Sequence, residues 1–78
     1  MADDSREYSI RRVTRDGLTV TLSDGSRWSI NVGDCTKTSC WYPTMRVSVA
    51  EEPEDQIYPY RLANLDTFRP DVVRAQRK

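Results

Sequence analysis

The chain has 78 residues and a mass of 9.0 kDa, which is enough for one small domain. Its 12 lysine and arginine residues balance 12 aspartate and glutamate residues, and histidine is absent. These figures exclude a large catalytic cleft, a conventional zinc site and a general electrostatic attraction to nucleic acid.

The sequence contains no segment that predicts export or membrane insertion. The first seven residues are rich in charge, and no more than three apolar residues occur in a row. We therefore expect a cytoplasmic protein without membrane contact. It should have a flexible segment at residues 1–7, a single domain at residues 8–76 and a flexible tail at residues 77–78.

The first predicted strand contains an irregularity. Tyr8 and Ile10 lie on one face of it, whereas Val13 is out of phase with them. One extra residue would restore the alternation, so we expect a β-bulge near Arg11 and Arg12.

The second and third predicted strands form a hairpin. Apolar residues occupy alternate positions in both, namely Leu18, Val20 and Leu22 in one and Trp28, Ile30 and Val32 in the other. A loop of three residues, with Gly25 in the left-handed region, pairs Val20 with Trp28 and keeps both apolar rows on one face. A two-residue loop would place the rows on opposite faces, so we predict the longer one.

The middle of the chain, residues 33–44, is the least regular part. Asp34 is a candidate N-cap for a single helical turn near residues 34–40, because the β-branched residues that follow disfavour a long helix. Pro43 ends whatever forms there.

Three more strands are predicted after this turn. Alternating apolar residues begin at Met45 and again at Tyr58, and a last strand covers residues 71–76. An acidic loop at residues 51–55 separates the first two, and Pro59 restricts its strand to an edge or a bulge.

Five to six short strands joined by tight turns predict an all-β fold. We expect a small closed barrel of antiparallel strands, SH3-like or OB-like, with at most one short helical turn. The lack of a long helix favours the SH3-like form. Closure into a barrel removes the edges that a flat sheet of this size would expose.

A set of turn and core residues spread over residues 10–76 resembles a known pattern. It comprises Asp24-Gly25-Ser26-x-Trp28, Asp34, Trp41, Val47-x-Val49 and Leu62-x-Asn64-x-Asp66. The set is similar to a family of short, uncharacterised bacterial β-proteins. This resemblance implies a small β-barrel, and it implies no particular activity and no particular site residues.

Aromatic residues beyond the core rows indicate a protein-binding surface. Trp28 alternates in step with Ile30, which is typical of a core residue, whereas Trp41 lies in the irregular segment, where both core and surface positions are open. We expect a partner protein or peptide to contact the surface around Trp41, Tyr42, Tyr58 and Tyr60.

The alternative hypothesis is binding of single-stranded nucleic acid. Arginine outnumbers lysine ten to two, and arginines cluster near both ends of the chain. If the first and last strands are neighbours, these clusters merge into one basic stripe. The residues of that stripe would be Arg11, Arg12, Arg74 and Arg77.

The inventory of reactive groups argues against an enzyme. Cys35 and Cys40 are expected to be reduced, partly buried thiols, and they are too few to hold zinc without further ligands. There is no histidine base, no Ser/His/Asp set and no glycine-rich phosphate loop in the sequence. We expect a non-catalytic interaction or assembly module with no cofactor and no metal.

Overall fold

The protein, described here by a computed structural model for residues 6–67 and 71–78, is a closed antiparallel β-barrel. Within those ranges the strands number six, and they pair around the ring in the order β1-β2-β3-β6-β5-β4. Their bounds are β1 Arg6–Val13, β2 Thr19–Leu22, β3 Arg27–Ile30, β4 Arg46–Glu51, β5 Tyr60–Asn64 and β6 Asp71–Arg77. The prediction of a small all-β barrel is confirmed.

A short helical segment joins two three-stranded meanders. It consists of a 3-10 helix, Val32–Asp34, followed directly by α1, Cys35–Thr38. The segment carries the chain from the end of β3 to the start of β4, which pairs with β1, and β6 then closes the ring against β3. A single short helical turn in this region was predicted, and this too is confirmed.

The barrel extends slightly beyond its predicted bounds. Glu7 pairs with Ser48, and Arg77 pairs with Trp28, so these positions belong to strands rather than to flexible ends. The predicted flexibility of residues 1–5 concerns residues outside the described ranges.

The β2–β3 hairpin has the predicted register and loop. Val20 pairs with Trp28, and the Leu22 N–H donates to the Ser26 carbonyl (2.9 Å), which leaves three residues in the loop. Gly25 has φ +87°, the left-handed conformation that this loop requires. The apolar residues within the two strands, Val20 and Leu22 in β2 and Trp28 and Ile30 in β3, therefore face the barrel interior.

The predicted irregularity of β1 is confirmed. The register between β1 and β2 shifts between Ile10 and Arg12. Ile10 is buried and Val13 half-buried, so both sides of the bulge contribute to the core, while Arg11 and Arg12 between them are both exposed. The bulge thus places two consecutive arginines on the outer face.

The core fills the interior with side chains from every strand and one residue from the connecting segment. Its buried members are Ile10, Val20, Leu22, Trp28, Ile30, Trp41, Val47, Leu62, Val73 and Ala75. Two buried polar residues, Thr38 and Asn64, complete it, and both use their polar atoms in hydrogen bonds. Inward-facing positions alternate with outward-facing ones, as expected for a small barrel.

Two details of the connecting segment were predicted wrongly. Val32 does not continue the β3 alternation: it is 69% exposed in the 3-10 helix, because the Asn31 side chain accepts the Gly33 N–H and starts that helix. Asp34 does not cap α1 through its side chain. Its carboxylate instead accepts the backbone N–H of Arg74 (3.0 Å) and ties the segment to β6.

The turns are held by aspartate carboxylates that accept backbone or side-chain hydrogen bonds. The Leu18 N–H lowers the pKa of Asp16 below its ordinary value of 3.8, and hydrogen bonds from Tyr58 and Arg46 do the same for Asp55 and Asp66. A carboxyl group whose pKa is lower in the folded chain than in the unfolded chain stabilises the fold at every pH above its unfolded-state pKa. This stabilisation is lost as the pH falls through the folded-state pKa.

We therefore expect acid to destabilise the barrel. Tm should fall as the pH is lowered from about 5 to about 2, as measured by circular dichroism. Asp55→Asn keeps an acceptor in its turn but removes one titrating group, so its Tm should depend less on pH than that of the unmodified chain. Equal pH dependence in both chains would contradict the assignment for Asp55.

Candidate binding sites

The two ends of the barrel are covered differently. At one end α1 packs against the β1–β2 turn, where the Thr38 hydroxyl donates to the Gly17 carbonyl. At the other end lie the β2–β3 turn, the end of β6 and the loop at residues 52–59. In the chain as described, no helix lies over this second end, which we call the mouth.

The mouth contains a pocket of about 370 Å³. This volume falls within the range of small-ligand sites in proteins. Aromatic, acidic and basic groups line it together: Tyr8, Asp24, Trp28, Val49, Glu51, Tyr60 and Arg77.

Three aromatic rings, together with Val49, form the apolar part of the pocket. Trp28 is buried at the base, and Tyr60 meets it edge-to-face with ring centroids 4.9 Å apart. Tyr8 and Tyr60 are half-buried and pack on the core, so each presents part of its ring to the pocket. The rings are fixed by packing.

A chain of hydrogen bonds fixes the acidic rim. The Trp28 Nε1–H donates to Ser26 Oγ (2.9 Å), and the Ser26 hydroxyl donates to Asp24 Oδ1 (2.6 Å). The side-chain and backbone hydrogen bonds from Ser26 lower the pKa of Asp24, and the positive charge of Arg77 lowers it further. Asp24 is thus an ionised carboxylate held in place beside the rings.

A guanidinium already lies in this aromatic and acidic setting. Cζ of Arg77 is 5.8 Å from the centroid of the Trp28 ring, within the range of a cation–π contact. Arg77 forms no ion pair with the described carboxylates, and its side chain is exposed. The cation is therefore held by the ring face and by the general field of the rim.

Trp41, the first of the four predicted aromatic contact residues, lies far from the mouth. Trp41 is 3% exposed, and its Nε1–H donates to Asp71 Oδ2 (3.2 Å) at the start of β6. Ala75, which pairs with Tyr60, lies four residues further along β6 than Asp71, and this corresponds to about 13 Å. Trp41 is a core residue, and the prediction that it contributes to a contact surface is wrong.

The other three predicted aromatic residues lie at different ends of the barrel. Tyr42 is 61% exposed, but it follows Trp41 at the helix-covered end of the barrel. Tyr58 precedes β5 in the loop, where its N–H donates to Asp55 and its carbonyl accepts from Arg61. Of the four residues, Tyr60 alone lines the pocket in the mouth, so the structure does not join them in one surface.

The predicted merging of the arginine clusters is also wrong. It required the first and last strands to be neighbours, but β1 pairs with β2 and β4, whereas β6 pairs with β3 and β5. Arg11 and Arg12 on β1 therefore lie across the barrel from Arg74 and Arg77 on β6. The cause is the helical segment, which delivers β4 rather than β6 to the free side of β1.

A different basic site is present on the outer face of β1, β2 and β3. A groove of about 550 Å³ is lined by three arginines and three threonines: Arg11, Arg12, Arg27, Thr14, Thr19 and Thr21. We call it the outer groove. Arg12 pairs across the sheet with Thr21, and Thr21 pairs with Arg27, so two of the arginines flank one hydroxyl residue.

The sequence interpretation missed several residues of both sites. Trp28 was assigned to the core alone, and Tyr8, Asp24, Glu51 and Arg27 were given no binding role. The sequence did contain one signal. The alternation places Tyr8 and Tyr60 on the inner face, and each lies at or near the first residue of its strand, β1 or β5. Their convergence with Trp28 depends on the order of strands in the ring, which alternation does not encode.

The part of the chain that the structure describes contains neither a metal-binding cluster nor a membrane-spanning helix. Within residues 6–67 and 71–78, no three Cys, Asp or Glu side chains are placed to hold a metal ion. None of the helices described there has the length and apolar character needed to cross a membrane. Comparisons with protein-family models, with curated proteins and with solved structures found no match.

Proposed function

We propose that this chain is a non-catalytic protein-interaction module whose mouth receives a basic side chain of a partner protein. The observation that carries the proposal is the position of Arg77, whose guanidinium lies over the Trp28 ring in the pocket. The chain's own side chain thus illustrates the chemistry that the pocket accepts.

The charges and rings of the mouth support a cationic ligand. Asp24 and Glu51 supply two carboxylates against the single positive charge of Arg77, so the lining has a net charge of one negative unit. Aromatic faces attract guanidinium and ammonium groups, and the attraction increases when water is partly excluded. The half-buried Tyr8 and Tyr60 rings provide that partial exclusion.

Arg77 would act as an internal competitor for the pocket. Because it is exposed and lacks an ion pair with the described carboxylates, a partner's arginine or lysine could displace it at the cost of one weak contact. Removing it should therefore strengthen binding.

The test is an NMR titration of the full chain with a short arginine-containing peptide. The Trp28 indole N–H is the reporter, and the same peptide with glutamate in place of arginine is the control ligand. We expect Arg77→Ala to raise the affinity for the arginine peptide about twofold to fivefold. Glu51→Gln should lower it about threefold at low salt, because it removes one rim charge.

Glu54→Gln is the matched control variant, since it makes the same change in the exposed loop outside the mouth lining. It should bind the arginine peptide as the unmodified chain does. Equal indole shifts with the arginine and glutamate peptides, or equal losses in the Glu51 and Glu54 variants, would refute the proposal.

A further inference from the structure

We infer that the outer groove is an anion site that binds a phosphate monoester, independently of the mouth. The groove lies on the outer face of β1–β3, whereas the mouth is one end of the barrel, and the two sites share no lining residue. The inference thus goes beyond the proposed function.

The groove concentrates positive charge in a protein of zero net charge. Its lining contains three arginines and no acidic residue. The described ion pairs lie elsewhere, joining Lys37 to Asp34, Arg46 to Asp66 and Arg61 to Asp55. The charge of the groove arginines is therefore not neutralised by a described carboxylate partner.

Local structure positions these cations. The β1 bulge directs both Arg11 and Arg12 outward, and an Nη of Arg11 donates to the Ser23 carbonyl (3.0 Å). Arg12 and Arg27 stand on either side of Thr21 in one row across three strands, about 10 Å apart at their Cα atoms. Two long guanidinium side chains at that separation can meet over the residue between them.

A further cation contacts a residue that lines the groove. Lys78 Nζ donates to Thr19 Oγ1 (2.8 Å), which brings the ammonium group against the threonine row. The groove therefore combines forked guanidinium donors and threonine hydroxyls with an ammonium group at its edge, where the carboxylate of Asp16 also accepts the Thr14 hydroxyl (2.7 Å). This is a donor set suited to a compact anion with several oxygens.

The number of donors favours phosphate over carboxylate. An ionised carboxylate offers two oxygens and one negative charge. A phosphate monoester offers three terminal oxygens and about −1.5 to −2 charge at neutral pH. Three arginines that line one groove suit the second ligand better, because it offers more negative charge and more acceptor oxygens to share among them.

The lining also distinguishes a phosphate group from a nucleic-acid strand. Proteins that bind single strands usually combine a basic groove with aromatic rings on which the bases stack. The outer groove is lined by arginine and threonine, and the nearest aromatic cluster is on the inner face, in the mouth. Bases would find no stacking partner there.

The experiment is an NMR titration at low ionic strength with inorganic phosphate, with a phosphoserine peptide and with the unphosphorylated peptide. The backbone amides of Thr21 and Arg27 and the Nε–H of Arg12 are the reporters. We expect shifts with both phosphate ligands and none with the unphosphorylated peptide. Tighter binding of the phosphoserine peptide would identify a phosphorylated protein as the source of the group, and equal binding a small phosphate.

Charge-matched variants distinguish phosphate binding at the outer groove from nonspecific attraction of phosphate to any positive charge on the surface. Arg12→Gln and Arg27→Gln should each weaken phosphate binding about fivefold. Arg74→Gln removes the same charge from β6, outside the groove, and should change binding less than twofold. All three side chains are exposed, so the fold should be retained, as circular dichroism would verify.

Three results would overturn the inference. These are the absence of shifts with either phosphate ligand, equal weakening by the Arg74 and Arg12 variants, and tighter binding of a short oligo-dT than of phosphate with reporters outside the groove. The last would indicate a nucleic-acid surface instead. The mouth experiment uses a different ligand and the Trp28 reporter, so failure of one proposal is distinguishable from failure of the other.

Discussion

Replacing Gly17 by alanine is expected to destabilise the barrel by at least about 3 kcal/mol, whereas the same change at Gly25 should cost about 1 kcal/mol. Both glycines have positive φ, +74° at Gly17 and +87° at Gly25, so both variants pay for a left-handed alanine. Their surroundings differ. A Cβ on Gly25 would meet nothing within 4 Å, but one on Gly17 would overlap the Cys35 carbonyl oxygen.

The overlap at Gly17 involves backbone atoms and a hydrogen-bonded side chain, which can move only if the helix moves with them. The added Cβ would also lie 2.8 Å from the Ser39 backbone N and 2.8 Å from Thr38 Oγ1. These atoms belong to α1 and its C-terminal end, so relief would require the helix to move away from the turn. That movement would also break the hydrogen bond from the buried Thr38 hydroxyl to the Gly17 carbonyl.

Urea unfolding followed by tryptophan fluorescence measures both losses. The two variants share the same change in unfolded-chain entropy, so the difference between them isolates the contact with α1. In a domain of this size, 1 kcal/mol corresponds to about 4–8 °C in Tm. An unfolded Gly17→Ala chain beside a folded Gly25→Ala chain would be the extreme form of the expected result, while equal losses would contradict it.

The features that could be predicted from the sequence are those that depend on neighbours in the chain. The β2–β3 register follows from two alternating rows and one short loop, because a different loop length would turn Val20 and Trp28 to opposite faces. The β1 bulge follows from Val13 being out of phase with Ile10. In both cases the pairing partner lies within twelve residues along the chain, and the apolar residues of both strands must face the same interior.

The features that could not be predicted depend on contacts between distant segments. The bonds from Arg74 to Asp34 and from Trp41 to Asp71 span 40 and 30 residues. These bonds anchor the connecting segment, which in turn sets the order of strands in the ring. Because no local periodicity reports that order, the arginines of β1 and β6 were wrongly combined, and the mouth was overlooked.

Replacing Trp41 by alanine should destabilise the protein by about 3–5 kcal/mol, whereas Tyr42→Ala, one residue later, should change stability by less than about 0.5 kcal/mol. Trp41 is 3% exposed and belongs to the core cluster, and Tyr42 is 61% exposed. The indole is also the contact through which the segment after α1 reaches β6. Its loss would leave a cavity and release that contact together.

A graded variant keeps this prediction testable if the alanine chain does not fold, since small domains are only marginally stable. Trp41→Phe retains most of the ring but cannot donate to Asp71, so its loss should lie between those of the alanine variant and the unmodified chain. Acrylamide quenching in a Trp28→Phe background gives an independent measure, because a buried Trp41 should be shielded from the quencher. Free quenching of Trp41, or equal stability of the Trp41 and Tyr42 alanine variants, would return this indole to the surface and reopen the binding role that its burial excludes.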